Sequence, residues 1–142
     1  MKRNLNIALI YAIAAMAGGV FYREFTKMNG FDGTTTLGKV HTHLFILGML
    51  VFLLVGLFSA HFERLREKKT FRAFMCIYNV GVPLTAVMMT VRGIFQVLGT
   101  ELAKGANAAI SGIAGIGHIL IGTGVILLLV ALKKCAAEAR EN

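Results

Sequence analysis

Four runs of apolar residues, each long enough to cross a bilayer, leave this chain little choice of fold. They extend over Leu5 to Tyr22, Leu37 to Phe62, Phe74 to Leu98 and Ala109 to Leu132, and a membrane-crossing helix needs about 20 residues. Inside hydrocarbon the backbone must satisfy its own hydrogen bonds, which a helix does within one segment. With 142 residues, 56% hydrophobic and only 15% charged, no separate soluble domain fits around these runs. The predicted architecture is an all-α integral membrane protein, a four-transmembrane-helix bundle forming one membrane domain over residues 1–142. Lys2 and Arg3 give the first run the charge order of a signal peptide. Its end, Tyr22-Arg23-Glu24, has no small-residue cleavage site, so it is read as a retained helix.

Basic residues set the expected orientation, because short cytoplasmic loops collect Lys and Arg. One side gathers Lys2, Arg3, Arg64, Arg66, Lys68, Lys69, Arg72, Lys133, Lys134 and Arg140, and the other has Arg23, Lys27, Lys39, Arg92 and Lys104. Both termini are therefore expected in the cytoplasm, with the protein a multi-pass component of the cytoplasmic membrane. The net charge of +8 follows from this bias and suits anionic lipid head groups. The basic cluster is short and lacks interleaved aromatics, so it does not describe a nucleic-acid site. Cys76 and Cys135 fall toward the reducing side, and no Cys-x-x-Cys-His exists for covalent haem attachment.

The outer loop, Arg23 to Thr36, carries the turn pairs Asn29-Gly30 and Asp32-Gly33, and Thr34 to Thr36 can cap the helix that starts at Leu37. The inner loop, His61 to Arg72, mixes Glu63 and Glu67 with bases as a solvated helix extension would. No internal repeat or low-complexity segment stands out beyond a Gly/Ala-rich fourth run.

Chemistry concentrates in His41-Thr42-His43 and His118, since an ionisable side chain inside a membrane span is a functional-site hypothesis by default. Neutral imidazole is also a good ligand for metals and haem iron. With a rise of about 1.5 Å per residue, His41 and His43 lie roughly 6 to 9 Å below the outer end of the second run, and His118 about 13 Å below that of the fourth. All three thus belong to the outer half of the membrane, where facing helices can share a cofactor. Two residues apart on a helix means roughly 200° of rotation. One mononuclear metal does not easily take both His41 and His43, and the spacing favours two separate sites.

Gly115 and Gly122 share the helical face of His118, and Gly48 shares that of His41. A glycine face admits a flat porphyrin, although small residues at such spacings more commonly mediate helix packing. Arg92 lies within the third run near its outer end, where it needs a partner or a route to the interface. Haem propionates would supply the first, with Lys39 and Arg23 as auxiliaries, and snorkelling the second. Pro83 frees a carbonyl near Asn79, whose amide is positioned to satisfy it. Tyr11, Tyr22 and Tyr78 are available donors, and His61 is read as interfacial. Met49, Met88 and Met89 could serve as soft ligands, though methionine usually fills irregular packing.

The segment His41-Thr42-His43-Leu44-Phe45-Ile46-Leu47-Gly48-Met49 resembles the His-x-His stretch of the haem-copper oxidase and nitric oxide reductase catalytic subunits. It is similar also to that of small four-helix membrane proteins related to them, which carry an Ala-His-Ala-His-Leu-Asn-Leu-Leu-Gly-like segment and then Asn-x-Gly-x-Pro. The latter is Asn79-Val80-Gly81-Val82-Pro83 here. The resemblance covers the second and third runs; the first and fourth match in hydropathy alone. It implies haem handling, with His41 assigned to a high-spin haem, His43 to a low-spin haem and His118 as the opposite axial ligand of one of them. Twelve spans, the copper-ligand histidines and the crosslinked tyrosine are absent, so a complete oxygen-reducing oxidase is not expected.

These readings together predict non-covalent b-type haem, held by His118 with His41 or His43. The favoured role is one-electron transfer or haem-based gas sensing rather than catalysis. A second site completed across a homodimer or homotrimer interface is the corresponding expectation, with a redox partner of unspecified identity. Two alternatives stay open. A copper or zinc binding or transport protein would use His41, His43, His118 and nearby methionines. A structural or interaction subunit would use the histidines as interhelical donors. No nucleophile with its base, intramembrane carboxylate pair or phosphate loop is present.

Overall fold

The computed structural model describes residues 1–141, with side chains through residue 139; the side chain of Arg140, counted above with the inner bases, lies outside the described residues. Four long helices account for the apolar runs: α1 (Lys2–Met28), α2 (Leu37–His61), α3 (Lys69–Val97) and α4 (Lys104–Glu141). All four are long and apolar enough to cross a membrane. The chain is thus an all-α, four-helix protein of multi-pass membrane type. α1, α3 and α4 overrun their apolar runs at one end or both, because nothing at those boundaries breaks a helix: Lys2, Arg3 and the residues from Lys69 to Arg72 continue it into water. α2 keeps to its run, ending at His61.

α1 stops where the turn residues require. Asn29 caps its C-terminus and Gly30 adopts φ +59°, a left-handed conformation that glycine takes without Cβ strain. The threonines that follow do more than cap. Thr35 Oγ1 accepts the Leu37 N–H at 3.2 Å and donates to the Gly93 carbonyl at 3.1 Å, while Thr36 Oγ1 donates to the Met89 carbonyl at 2.9 Å. Gln96 Oε1 accepts the Thr36 N–H at 2.8 Å. The start of α2 is therefore tied to the end of α3. Gly93 permits that approach, since a Cβ there would stand 2.5 Å from the Leu37 nitrogen.

α2 is not uniform. Residues Leu44–Leu50 form a π-helical segment between two α-helical ones, Leu37–His43 and Val51–His61. Wide turns of this kind loosen the usual i to i−4 ladder and occur often at functional sites. Here Tyr78 of α3 donates its hydroxyl to the Leu47 carbonyl at 2.9 Å, satisfying an acceptor within the wide segment.

Packing runs from α1 to α2, from α2 to α3 and from α3 to α4, and no comparable contact closes the set between α4 and α1. Toward the end that holds both termini an aromatic wedge joins the first three helices. Tyr11 stacks on Phe52 at 5.7 Å, Phe52 meets Tyr78 edge-on at 5.9 Å, and Phe74 lies 5.1 Å from Tyr78. Asn4 donates to Ser59 Oγ at 3.2 Å across the buried α1–α2 seam. The α3–α4 seam is tighter and is built on glycine. A Cβ on Gly117 would lie 2.3 Å from Thr85 Oγ1, one on Gly124 2.8 Å from the Tyr78 ring, and one on Gly81 2.9 Å from the Leu120 Cβ. A short 3-10 turn, Glu63–Glu67, links α2 to α3, and Lys68 and Arg64 from this linker pair with Glu138 at the far end of α4.

Candidate functional site

Helical phase decides where each histidine points. His41 faces α1: its ring stacks on Tyr22 with centroids 6.5 Å apart and planes 14° apart, and a Cβ on Gly19 would rest 3.7 Å from it. Its Nδ1 is buried without a hydrogen-bond partner. His43, roughly 200° further round the helix, lies on the side of α2 turned away from α1. It is half-buried, and its Nδ1–H donates to the Lys39 carbonyl at 2.8 Å.

His118 occupies the matching position on α4. The α4 residues Gly117, Ile121 and Gly124 meet α3, and contact of Gly81 with Leu120 marks one flank of that seam. His118 is on the other flank, which is turned toward α2. It is exposed to the surroundings of the protein, and its Nδ1–H donates to the Ala114 carbonyl at 2.8 Å. α1 and α4 lie on opposite sides of the α2–α3 pair, since the Pro83 and Ala86 face of α3 opens toward α1 and its Gly81 and Thr85 face meets α4. Helical phase puts His43 on the flank of α2 away from α1 and His118 on the flank of α4 away from Leu120. Half-buried Met89 of α3 is intermediate in phase between Gly93, which meets α2, and Thr85, which meets α4.

The two rings share a preparation. In each the Nδ1–H is held by the carbonyl four residues earlier, so that Nε2 is the ring nitrogen without a partner in its own helix. Histidines that ligate metals are commonly oriented by this kind of backbone bond on the second ring nitrogen. His41 lacks it.

Arg92 has found protein partners. Its Nη2 donates to Ser111 Oγ at 2.6 Å and to Asn107 Oδ1 at 3.1 Å, latching α3 to the start of α4. Sequence reasoning weighed a propionate against snorkelling and missed this third solution, although Asn107 and Ser111, four residues apart on one face of an apolar helix, were its signal. The glycines divide as well. The Gly48 face is filled by Tyr11, whose ring atoms would stand 2.4 Å from a Cβ there, so this glycine serves α1–α2 packing rather than a flat ligand. Gly115 and Gly122 meet nothing within 4 Å and leave the surface of α4 shallow around His118.

The Asn79 amide does not serve the carbonyl that Pro83 frees. Helical side chains lean toward the N-terminus, and Asn79 Nδ2 accordingly donates to the Met75 carbonyl at 2.7 Å. Cys76 and Cys135 are both free thiols, the first exposed and the second buried. Among the described residues no three side chains of His, Cys, Asp or Glu gather as a cation site.

A family model described as a protein of unknown function, DUF2871, matches residues 1–135. The chain belongs to the DUF2871 family. The match takes in α1, α2, α3 and most of α4, hence His41, His43 and His118. No curated protein and no solved structure matches this DUF2871 member.

Proposed function

We propose that this DUF2871 protein is a cytoplasmic-membrane, b-type haem protein in which His43 and His118 are the axial ligands and whose role is one-electron transfer. One observation supports the reading: His43 on α2 and His118 on α4 each have Nδ1–H held by a carbonyl of their own helix, which turns Nε2 outward as the ligating nitrogen, and the proposal brings the two rings together across a groove between these helices. The reading prefers His43 to His41, because His41 is turned to α1, where its ring packs on Tyr22 and Gly19. The His-x-His resemblance points the same way for its second histidine. Gly122 and Gly115 leave the α4 wall shallow enough for a planar ring, and Met89 gives an apolar floor.

Haem bound by two histidines would supply a low-spin iron that exchanges single electrons without an open coordination position. The residues around the groove do the rest. Arg92 commits Nη2 to α4 and keeps its other donors at the outer end of the groove, where a propionate would be met by a charge-assisted hydrogen bond. The basic residues concentrated at the opposite end support the orientation with both termini inside.

The test is a reduced-minus-oxidised visible spectrum of protein purified in mild detergent from haem-replete cells. Sharp Soret and α bands are expected in the native protein and in His41→Ala, and their loss in His43→Ala and in His118→Ala. Carbon monoxide should leave the reduced spectrum unshifted. A colourless native protein would overturn the haem reading, and loss of the bands in His41→Ala alone would overturn the pairing.

A further inference from the structure

On the side of α3 opposite the histidine groove, α1 and α3 diverge and leave a crevice of about 770 Å³. Its cause is local. α1 presents Ala14, Ala17 and Gly18 there, opposite Pro83 and Ala86 of α3, too little side chain to close the gap, and Leu37, Val40 and Leu44 of α2 form its back wall. Its few polar groups are largely committed: Thr90 Oγ1 donates to the Ala86 carbonyl at 2.8 Å and Asn79 Nδ2 to the Met75 carbonyl at 2.7 Å. An apolar slot of this kind takes hydrocarbon.

The inner end of the slot changes character. Ile7 and Asn79 line the crevice and also a second cavity of about 430 Å³, whose other walls include Arg3, Arg66 and Arg72. The two cavities therefore adjoin. The three arginines come from three separate segments, the start of α1, the 3-10 linker and the start of α3. None of them forms an ion pair with a carboxylate among the described residues, whereas Arg64 and Lys68 nearby are paired with Glu67 and Glu138. Arg72 makes one bond, to the Glu67 carbonyl at 3.1 Å.

We infer that this is a binding site for an anionic phospholipid, with its phosphate among Arg3, Arg66 and Arg72 and an acyl chain lying in the crevice between α1 and α3. Three unneutralised guanidinium groups at the mouth of an apolar slot match the two halves of such a molecule, and basic pockets between helices on this side of a membrane are a recognised lipid mode. A helix from a second copy is the poorer occupant. With 15 basic against seven acidic residues and the bases concentrated at this end, a second copy would bring more positive charge to the arginines. The inference does not rest on the haem reading, which concerns the other side of α3.

Two sets of variants separate the halves of the site. In the first, Arg3→Gln and Arg66→Gln remove exposed charges only, and Arg72→Gln removes an exposed charge together with its bond to the Glu67 carbonyl. In the second, Ala14→Phe on α1 or Val87→Phe on α3 fills the slot from exposed positions and spares the buried seams. Full-length protein is exchanged into nanodiscs of phosphatidylcholine containing a minority of phosphatidylglycerol with the same acyl chains, and retained lipid is read by native mass spectrometry after transfer to detergent. Native protein should retain phosphatidylglycerol in preference to phosphatidylcholine. Each Arg→Gln change should weaken that preference by about fivefold. The slot-filling variants should lose the bound lipid with the arginines intact, and both sets should keep the native melting temperature in neutral lipid. Equal retention of both lipids by native protein, or an unchanged preference in the triple Gln variant, would overturn the inference. So would full competition by soluble glycerol phosphate, which would mean an anion site without a chain, or a native dimer that dissociates when the slot is filled.

Discussion

At the scale of single residues, the glycines separate into two kinds that sequence spacing does not distinguish. Gly93 and Gly117 face backbone and a buried hydroxyl at distances no Cβ tolerates, while Gly115 and Gly122 meet open space. Gly93→Ala should therefore lower stability by about 1 to 3 kcal/mol, the usual cost of overpacking a tight contact. Gly115→Ala should stabilise the helix slightly, by about 0.5 to 1 kcal/mol, because alanine is the better helix former. Thermal unfolding of the two variants in detergent, compared with the native chain, reads the contrast directly; equal effects would show that Gly93 is not a close-approach position. The histidines divide by the same logic. His41 packs on Tyr22 with a buried, unpartnered Nδ1, whereas His43 and His118 each have that proton committed to their own backbone.

At the scale of elements, the π-helical stretch of α2 and the α3–α4 latch are the features with most consequence. Because the Tyr78 hydroxyl serves the Leu47 carbonyl, Tyr78→Phe should cost about 1 kcal/mol, with the lost bond inside the membrane. Faster amide exchange at residues 48–52 than elsewhere in α2 is the accompanying expectation, measured by hydrogen–deuterium exchange in micelles. Unchanged exchange there would mean that the wide turn stands without the tyrosine. Arg92 ties α3 to α4 through Asn107 and Ser111. Ser111→Ala should leave any cofactor spectrum in place while loosening the start of α4, and a shift in haem midpoint potential with Arg92→Gln but not with Ser111→Ala would separate a propionate contact from the latch.

At the scale of the whole molecule, four helices do not close into a ring. α1 and α4 lie on opposite sides of the α2–α3 pair, so the protein presents two unlike grooves back to back. One, on the proposed reading, takes a haem between His43 and His118, and the other is an apolar slot ending in three arginines. The class of the fold was legible in the runs of apolar residues, since only a membrane helix accommodates such lengths. The turn at Asn29-Gly30 was legible too, because its cause is local, whereas the threonine run was legible as a helix start but not as the tie to Gly93, Met89 and Gln96 of the distant α3. The histidines could be singled out, and their opposed faces deduced, because helical phase is fixed by position along the chain. Which of them could meet His118 was not legible, for it depends on which side of α3 each neighbouring helix takes. That choice is made by Gly81, Gly93 and Gly117 in contact with residues far away in sequence, and by the aromatic wedge at Phe52, Phe74 and Tyr78. The sequence by itself thus determined that the chain is a set of helices of membrane-crossing length and that His41 and His43 point to opposed faces of one of them, since hydropathy and helix periodicity are properties of single segments. Only the tertiary structure decided that His41 packs on Tyr22 of α1, that Arg92 latches α3 to α4, and that Arg3, Arg66 and Arg72 end an apolar slot, because lateral order among helices is set by close packing between them.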